Sequence, residues 1–309
     1  LPISLEHPFH LERPPASDPL LYTLGAPCSD APVTAHLVCV LLLATGGPAP
    51  SMSTAKPTAA QLFEAELGRL GVRFEHGPEP MLYKARVDGV DLEVNLENVA
   101  RNYARDGDPA GVKTFAAQIA AFRREKDPPW KDARRSVFWV AEPGDFDFGT
   151  TVREPVTKEV VRVLVRTDEK VTKLSWITAE TIEAWGIPEQ EVRAAASANL
   201  ARVLSSVRVE TMDVKGMKLG MVPVPSALKA SVIFAPNFKA LVEKELGWPV
   251  LVVIPCRDFL YVWAEKDGGL VDRVGGVVQE EYRTSGYPIT TEVLRISDDG
   301  ITTIGAFPG

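Results

Sequence analysis

The sequence predicts an α+β fold: a mostly antiparallel sheet built from hairpins, with helices packed on one face. Two observations carry this. Alternating apolar segments flank short turn sequences at Asp88-Gly89, Lys215-Gly216 and Asp298-Asp299-Gly300, and such turns join antiparallel neighbours. Amphipathic stretches with helix start and stop signals lie between the hairpin groups rather than after each single strand. The elements come after Met52, and a soft boundary in a glycine-rich loop divides the chain into an N-terminal part, 52–150, and a C-terminal part, 151–309.

Thr58 to Gln61 has the capping-box pattern, followed by Leu62, Phe63, Leu67 and Leu70 at helical spacing, with Gly71 as the stop. Residues 82–88 and 90–96 form the first hairpin, and a helix follows over 97–104. Asp108-Pro109 supplies an N-cap and an N1 proline for a helix striped by Val112, Phe115, Ala116, Ile119 and Phe122. Strands are expected at 136–141 and 160–166, separated by a loop over 142–155. Thr178 caps a short helix stopped by Gly186, and Pro188 opens a longer one with Val192, Ala196, Asn199, Leu200 and Val203 on one stripe.

Residues 207–214 and 217–224 form the second hairpin. A helix with Phe238, Leu241 and Val242 follows Pro236 and closes at Gly247. Residues 249–263, PVLVVIPCRDFLYVW, read as two buried strands joined by a polar corner at Pro255-Cys256-Arg257-Asp258. An amphipathic helix with Leu270, Val274, Val278 and Tyr282 leads to the last hairpin, 292–297 and 301–306.

The first 51 residues differ from the rest. They hold no lysine, nine of the 25 prolines and three of the four histidines, His7, His10 and His36. They are read as an extension, either upstream sequence translated ahead of Met52 or a disordered tail. A secretory signal cored on 36–44 is the weaker reading, because Arg13 is the lone cation ahead of the apolar run, against Glu6, Glu12, Asp18 and Asp30.

A net charge of −7 gives the chain no general attraction for nucleic-acid phosphates or anionic membranes. No apolar run reaches the length of a membrane-spanning helix. Cys28 and Cys39 fall in the first 51 residues, leaving Cys256 alone and without a disulfide partner in the remainder, which fits a reducing cytoplasm. Outside the first 51 residues His76 is the single histidine, so a Ser-His-Asp or Cys-His mechanism would have to use it. A Cys/His zinc site lacks ligands, and the Asp145/Asp147 pair has no EF-hand continuation, so no metal is expected. Neither a phosphate-cradling G-x-x-x-x-G-K-[ST] nor a G-x-G-x-x-G motif is present, and no cofactor is expected.

Four residues remain as ligand-binding candidates. Cys256 sits beside Arg257, which could activate a thiol, although a small residue filling a tight corner is the plainer reading. Arg257 and Asp258 read first as structural, Asp258 capping turn N–H groups and Arg257 bonding carbonyls or carboxylates. A ligand-binding arginine is the alternative. Asn199, polar on an apolar stripe, must find partners or cost about 1–3 kcal/mol, and tying its helix to a loop backbone would supply them.

Several of these pieces occur in an order that resembles the YtpQ-like family of bacterial proteins, a domain of unknown function. Leu96-Glu-Asn-Val99 with Tyr103, Trp176-Ile-Thr178 leading to Trp185-Gly186-Ile187, the alanine-rich run from Ala194 to Leu200, and Val253-Ile-Pro-Cys-Arg-Asp258 carry the likeness. It covers about residues 60–304. Cys256 stands where serine is expected, and the loop over 143–154 is long. The resemblance implies a bacterial α+β protein and no particular reaction. The reading is therefore a cytoplasmic, non-enzymatic binding or interaction protein whose partner is a protein or a small molecule, not nucleic acid or membrane. The alternative is a metal-independent small-molecule enzyme of hydrolase type at the Pro255–Asp258 corner.

Overall fold

The computed structural model describes residues 56–122, 127–146, 148–171 and 173–308, except for the side chain of Val90. The extension over 1–51 and Asp147 of the Asp145/Asp147 pair lie outside the described residues. The fold is α+β, its sheets are open, and among the described residues every strand pairing is antiparallel.

The first packing unit opens with α1 (Ala59–Arg69), where the predicted capping box forms. Thr58 Oγ1 accepts from the Gln61 N–H at 3.2 Å, and Gln61 Oε1 accepts from the Thr58 N–H at 2.9 Å. A meander of β1 (Arg73–His76), β2 (Leu82–Val87) and β3 (Val90–Asn95) follows. Asp88 and Gly89 both take positive φ, at 51° and 76°, the geometry that a two-residue Asp-Gly hairpin turn requires. Then come α2 (Glu97–Asp106) and α3 (Pro109–Ala120), whose N-cap Asp108 accepts from the Ala110 N–H at 2.8 Å. The core is aromatic at its centre, with the Phe63 ring 5.2 Å from Tyr83 and 5.7 Å from Phe115. Leu67, Leu96, Val99, Val112 and Ile119 surround them.

The second unit begins with α4 (Trp130–Ala133) and β4 (Val137–Pro143), followed by β5 (Arg153–Pro155), β6 (Val160–Thr167) and β7 (Leu174–Trp176). β6 is the hub: β4 pairs along one side, and β5 and β7 share the other. α5 (Ala179–Trp185) is capped by Thr178 and ended by Gly186 in the left-handed conformation, φ 66°. α6 (Glu189–Leu204) lays Val192, Ala196, Leu200 and Leu204 into the core beside β4. Residue 150 thus falls between two strands, β4 and β6, of one sheet. The division in the packing comes earlier, between Phe122, which packs on the first core, and Trp130, which packs on the second.

The third piece is a sheet of six strands. It contains β8 (Glu210–Val214), β9 (Met217–Met221), β10 (Val250–Val253), β11 (Tyr261–Ala264), β12 (Glu292–Ser297) and β13 (Gly300–Ala306), ordered β13-β12-β10-β11-β9-β8. Helical turns at Ser226–Leu228 and Ala230–Phe234, then α7 (Phe238–Val242), lie between β9 and β10. A turn at Glu265–Leu270 and α8 (Val271–Thr284) lie between β11 and β12. β10 is buried on both faces. Val250 and Val252 join the large core shared with β4, β6 and α6, whereas Leu251 and Val253 join Trp263, Leu270, Val274 and Val278 under α8. That double burial is why the stretch reads as an unbroken apolar run rather than an alternation. Among the described residues no helix is long and apolar enough to cross a membrane.

Candidate functional site

β10 ends at Val253 and β11 starts at Tyr261, so the corner between them is wider than the four residues that the sequence suggests. Its backbone is bonded to two other segments. The Arg257 N–H donates to Tyr287 O at 3.1 Å, and the Ile289 N–H donates to Pro255 O at 2.8 Å. Cys256 forms a bridge with Pro288, and the Ala230 N–H donates to Arg257 O at 3.1 Å. The corner is therefore an extension of the sheet, pinned to the turn before β12 and to the helical turn at Ala230–Phe234.

The Arg257 guanidinium enters the interior. Its Nη2 donates to Glu142 Oε1 at 2.6 Å, and the two side chains are only 7% and 8% exposed. Glu142 is the penultimate residue of β4, so this ion pair joins the four-stranded sheet to the six-stranded one. Burial raises the Glu142 carboxyl above its ordinary 4.5, and the neighbouring Arg257 charge opposes that rise. One guanidinium face lies over the Tyr287 ring, 4.3 Å from its centroid, a cation–π contact. Nε is buried with no hydrogen-bond partner among the described residues. Burial also raises the Tyr287 hydroxyl, against the pull of Arg257.

Cys256 is fully buried. Its thiol donates to Asp258 Oδ1 at 3.0 Å, with Glu281 Oε2 of α8 4.0 Å away. Burial and then the Asp258 charge push the thiol far above its ordinary pKa, while a hydrogen bond with Ser285 pulls weakly the other way. A nucleophilic cysteine needs the reverse, a thiolate favoured by a cation or a base. Arg257 is adjacent in sequence, but its charge is directed at Glu142. Asp258 holds the thiol instead of capping turn N–H groups. Glu281 is half-buried, and burial followed by the Asp258 charge raises its carboxyl, with Arg105 of α2 acting in opposition.

Asn199 is not part of this cluster. Its Nδ2 donates to Arg134 O at 2.9 Å and to Val137 O at 2.7 Å, tying α6 to the start of β4. Glu142 lies five residues further along that strand, roughly 17 Å at the rise of a β-strand. His76 is exposed on β1, 5.2 Å from the Tyr83 ring and 3.8 Å from Glu64 Oε1, contacts that lie in the first packing unit. Among the described residues no group of three His, Cys, Asp or Glu side chains could hold a metal ion. A groove of about 540 Å³, lined by Leu246, Trp248, Pro249, Ala264, Glu265 and Lys266, lies at the opposite end of β10 and β11.

Sequence reasoning missed Glu142, Glu281 and Tyr287, the residues that decide what the corner does. One signal was available for Glu142: a carboxylate directly after the apolar run 137–141 is placed to be buried if the strand runs one residue longer. Tyr287 and Glu281 carry no local mark. Comparison of the chain with protein-family models, with curated proteins and with solved structures gives no match.

Proposed function

We propose that this chain is a cytoplasmic binding or interaction protein of the YtpQ-like bacterial kind, with a protein or a small molecule as its partner. The observation that supports the non-enzymatic part of this reading is the buried Arg257–Glu142 pair. The arginine best placed to bind a ligand at the corner is neutralised inside the fold. The thiol beside it is hydrogen-bonded to Asp258 and kept protonated, which counts against the hydrolase-type alternative. Location in a reducing compartment is supported by the lone buried Cys256 in the chain after residue 51. Arg162 and Arg166 on β6 are paired with carboxylates, Glu154 and Asp127, which counts against a basic face for nucleic acid formed by these two together with Lys158, Lys170 and Lys173.

The test is affinity capture of the full chain from its native host, with mass spectrometry of co-purifying proteins and small molecules. A partner recovered near stoichiometry is expected. Turnover of a small molecule by the full chain, abolished by Cys256→Ala or Asp258→Asn in a protein that still folds, would overturn the reading.

A further inference from the structure

The six-stranded sheet has two ends, and they are built differently. β8 forms one end and carries Glu210 and Asp213. β13 forms the other, and Gly300–Ala306 has no charged residue and no proline. The outer strands of the three-stranded sheet resemble β8, with Arg73, Glu75 and His76 on β1 and Asp91 and Glu93 on β3. Natural edge strands are kept from pairing with other chains by charge, proline or a bulge. β13 has a bulge: Thr303 lies opposite Leu294 and Gly305 opposite Val293, which leaves Ile304 extra. That irregularity is confined to one end, and Gly300 to Thr303 continue in plain register with Ser297 to Leu294. Thr302 and Thr303 are exposed, and Ile304 is 52% exposed.

We propose that the edge of β13 turned away from β12, which pairs with no strand among the described residues, pairs antiparallel with β13 of a second copy, joining two six-stranded sheets across a two-fold axis. A two-fold pair places the residue on the axis opposite itself and its neighbours opposite one another. With Thr302 or Thr303 on the axis, the facing residues are threonine, isoleucine and glycine, and no like charges meet. Thr–Thr and Thr–β-branched pairs are favourable across strands. The same operation on β8 would bring Glu210 and Asp213 close to their own kind. A second copy also closes the assembly, because each protomer's uncharged edge is covered by the other's. The proposal does not rest on the binding reading of the corner.

Thr302 is the residue to alter, since it is exposed and lies opposite Arg295 on β12. In either register its two copies lie within about 8 Å of each other. Sedimentation of the full chain between about 1 and 100 μM, a range that captures moderate self-association, is expected to show a species at twice 33.7 kDa. Thr302→Lys and Thr302→Glu should each weaken the dimer by about two- to fivefold, as like charges opposite one another oppose pairing. The lysine variant also faces Arg295 within its own sheet and lowers the monomer's thermal midpoint slightly, so dissociation is read at a temperature where each monomer is folded. An equimolar mixture of the two should recover association, because opposite charges then face each other, a result that damage to the fold could not produce. A chain that stays monomeric throughout, a dimer that neither variant weakens, or a mixture no tighter than its components would each overturn the proposal.

Discussion

Replacing Arg257 by alanine tests the central feature of the corner. The change leaves the Glu142 carboxylate in the interior without its cation, at a site where the paired side chains are 7% and 8% exposed. Removing one member of a buried ion pair typically costs about 3–5 kcal/mol, most of it from the stranded charge. At about 2–4 °C per kcal/mol for a chain of this size, the expected fall in midpoint is roughly 6–20 °C. The loss should depend on pH. Burial already raises the Glu142 pKa above 4.5 in the folded state, and Arg257 restrains that rise. Without the arginine the folded value climbs further, while the unfolded value stays ordinary. Between those two values the folded state binds more protons than the unfolded state, so stability falls as pH increases through that window. The deficit relative to the parent is therefore larger near pH 8 than near pH 5. The double change Glu142→Leu, Arg257→Met removes both charges and should lie within about 2 kcal/mol of the parent, since well-packed apolar replacements of buried pairs are often neutral. Urea unfolding of the parent, Arg257→Ala and the double variant at both pH values makes the comparison. A single variant within about 1 kcal/mol of the parent, below the range for a stranded buried charge, would refute the argument, as would a deficit that grows toward low pH.

Substitutions at two other residues extend the test. Asn199→Ala removes the donor to the carbonyls of Arg134 and Val137 and should cost about 1–3 kcal/mol by urea unfolding, with Asn199→Asp costing more because a carboxylate would face two carbonyl oxygens. Glu281 is raised by burial and by Asp258, so its ionised form is a penalty that develops as pH rises above 4.5. Glu281→Gln should therefore stabilise the fold near neutral pH and leave it unchanged near pH 4, as read by thermal melting across pH, and an equal gain at both ends would exclude the linkage.

The parts of the fold that were legible in the sequence are those decided within a few residues. Asp88-Gly89 and Lys215-Gly216 both adopt positive φ at the turns they were expected to make. Thr58, Asp108 and Thr178 make their capping hydrogen bonds. β1, by contrast, is invisible to pattern reading because it is an edge strand with an exposed, non-alternating face. The grouping into three sheets was not legible either, since the pairing of β4 with β6 and of β10 with both β11 and β12 depends on contacts far apart in the chain. The candidate site divides in the same way. Cys256, Arg257 and Asp258 stood out through local composition, whereas what each one does is set by Glu142, Tyr287 and Glu281, at separations of 115 residues for Glu142 and 25 for Glu281. A strand that ends at residue 141 puts Glu142 in a loop, where a carboxylate calls for no partner, whereas β4 runs to Pro143.

Once those partners are placed, the corner is best understood as a junction. Arg257 belongs to the six-stranded sheet and Glu142 to the four-stranded one, so any displacement of one sheet against the other separates two buried charges. The turn before β12 meets the corner through Tyr287 and meets the first packing unit through Gly286, whose N–H donates to Asn102 Oδ1 of α2 at 3.0 Å. A side chain at Gly286 would bring a Cβ within 2.5 Å of Asn98 O, so glycine is required for α2 to come this close. A buried ion pair adds little net stability over an apolar pair, yet it strongly disfavours every arrangement in which its members are apart. Its position where two sheets and α2 converge suits that effect: the charges disfavour any docking of the pieces that would part them.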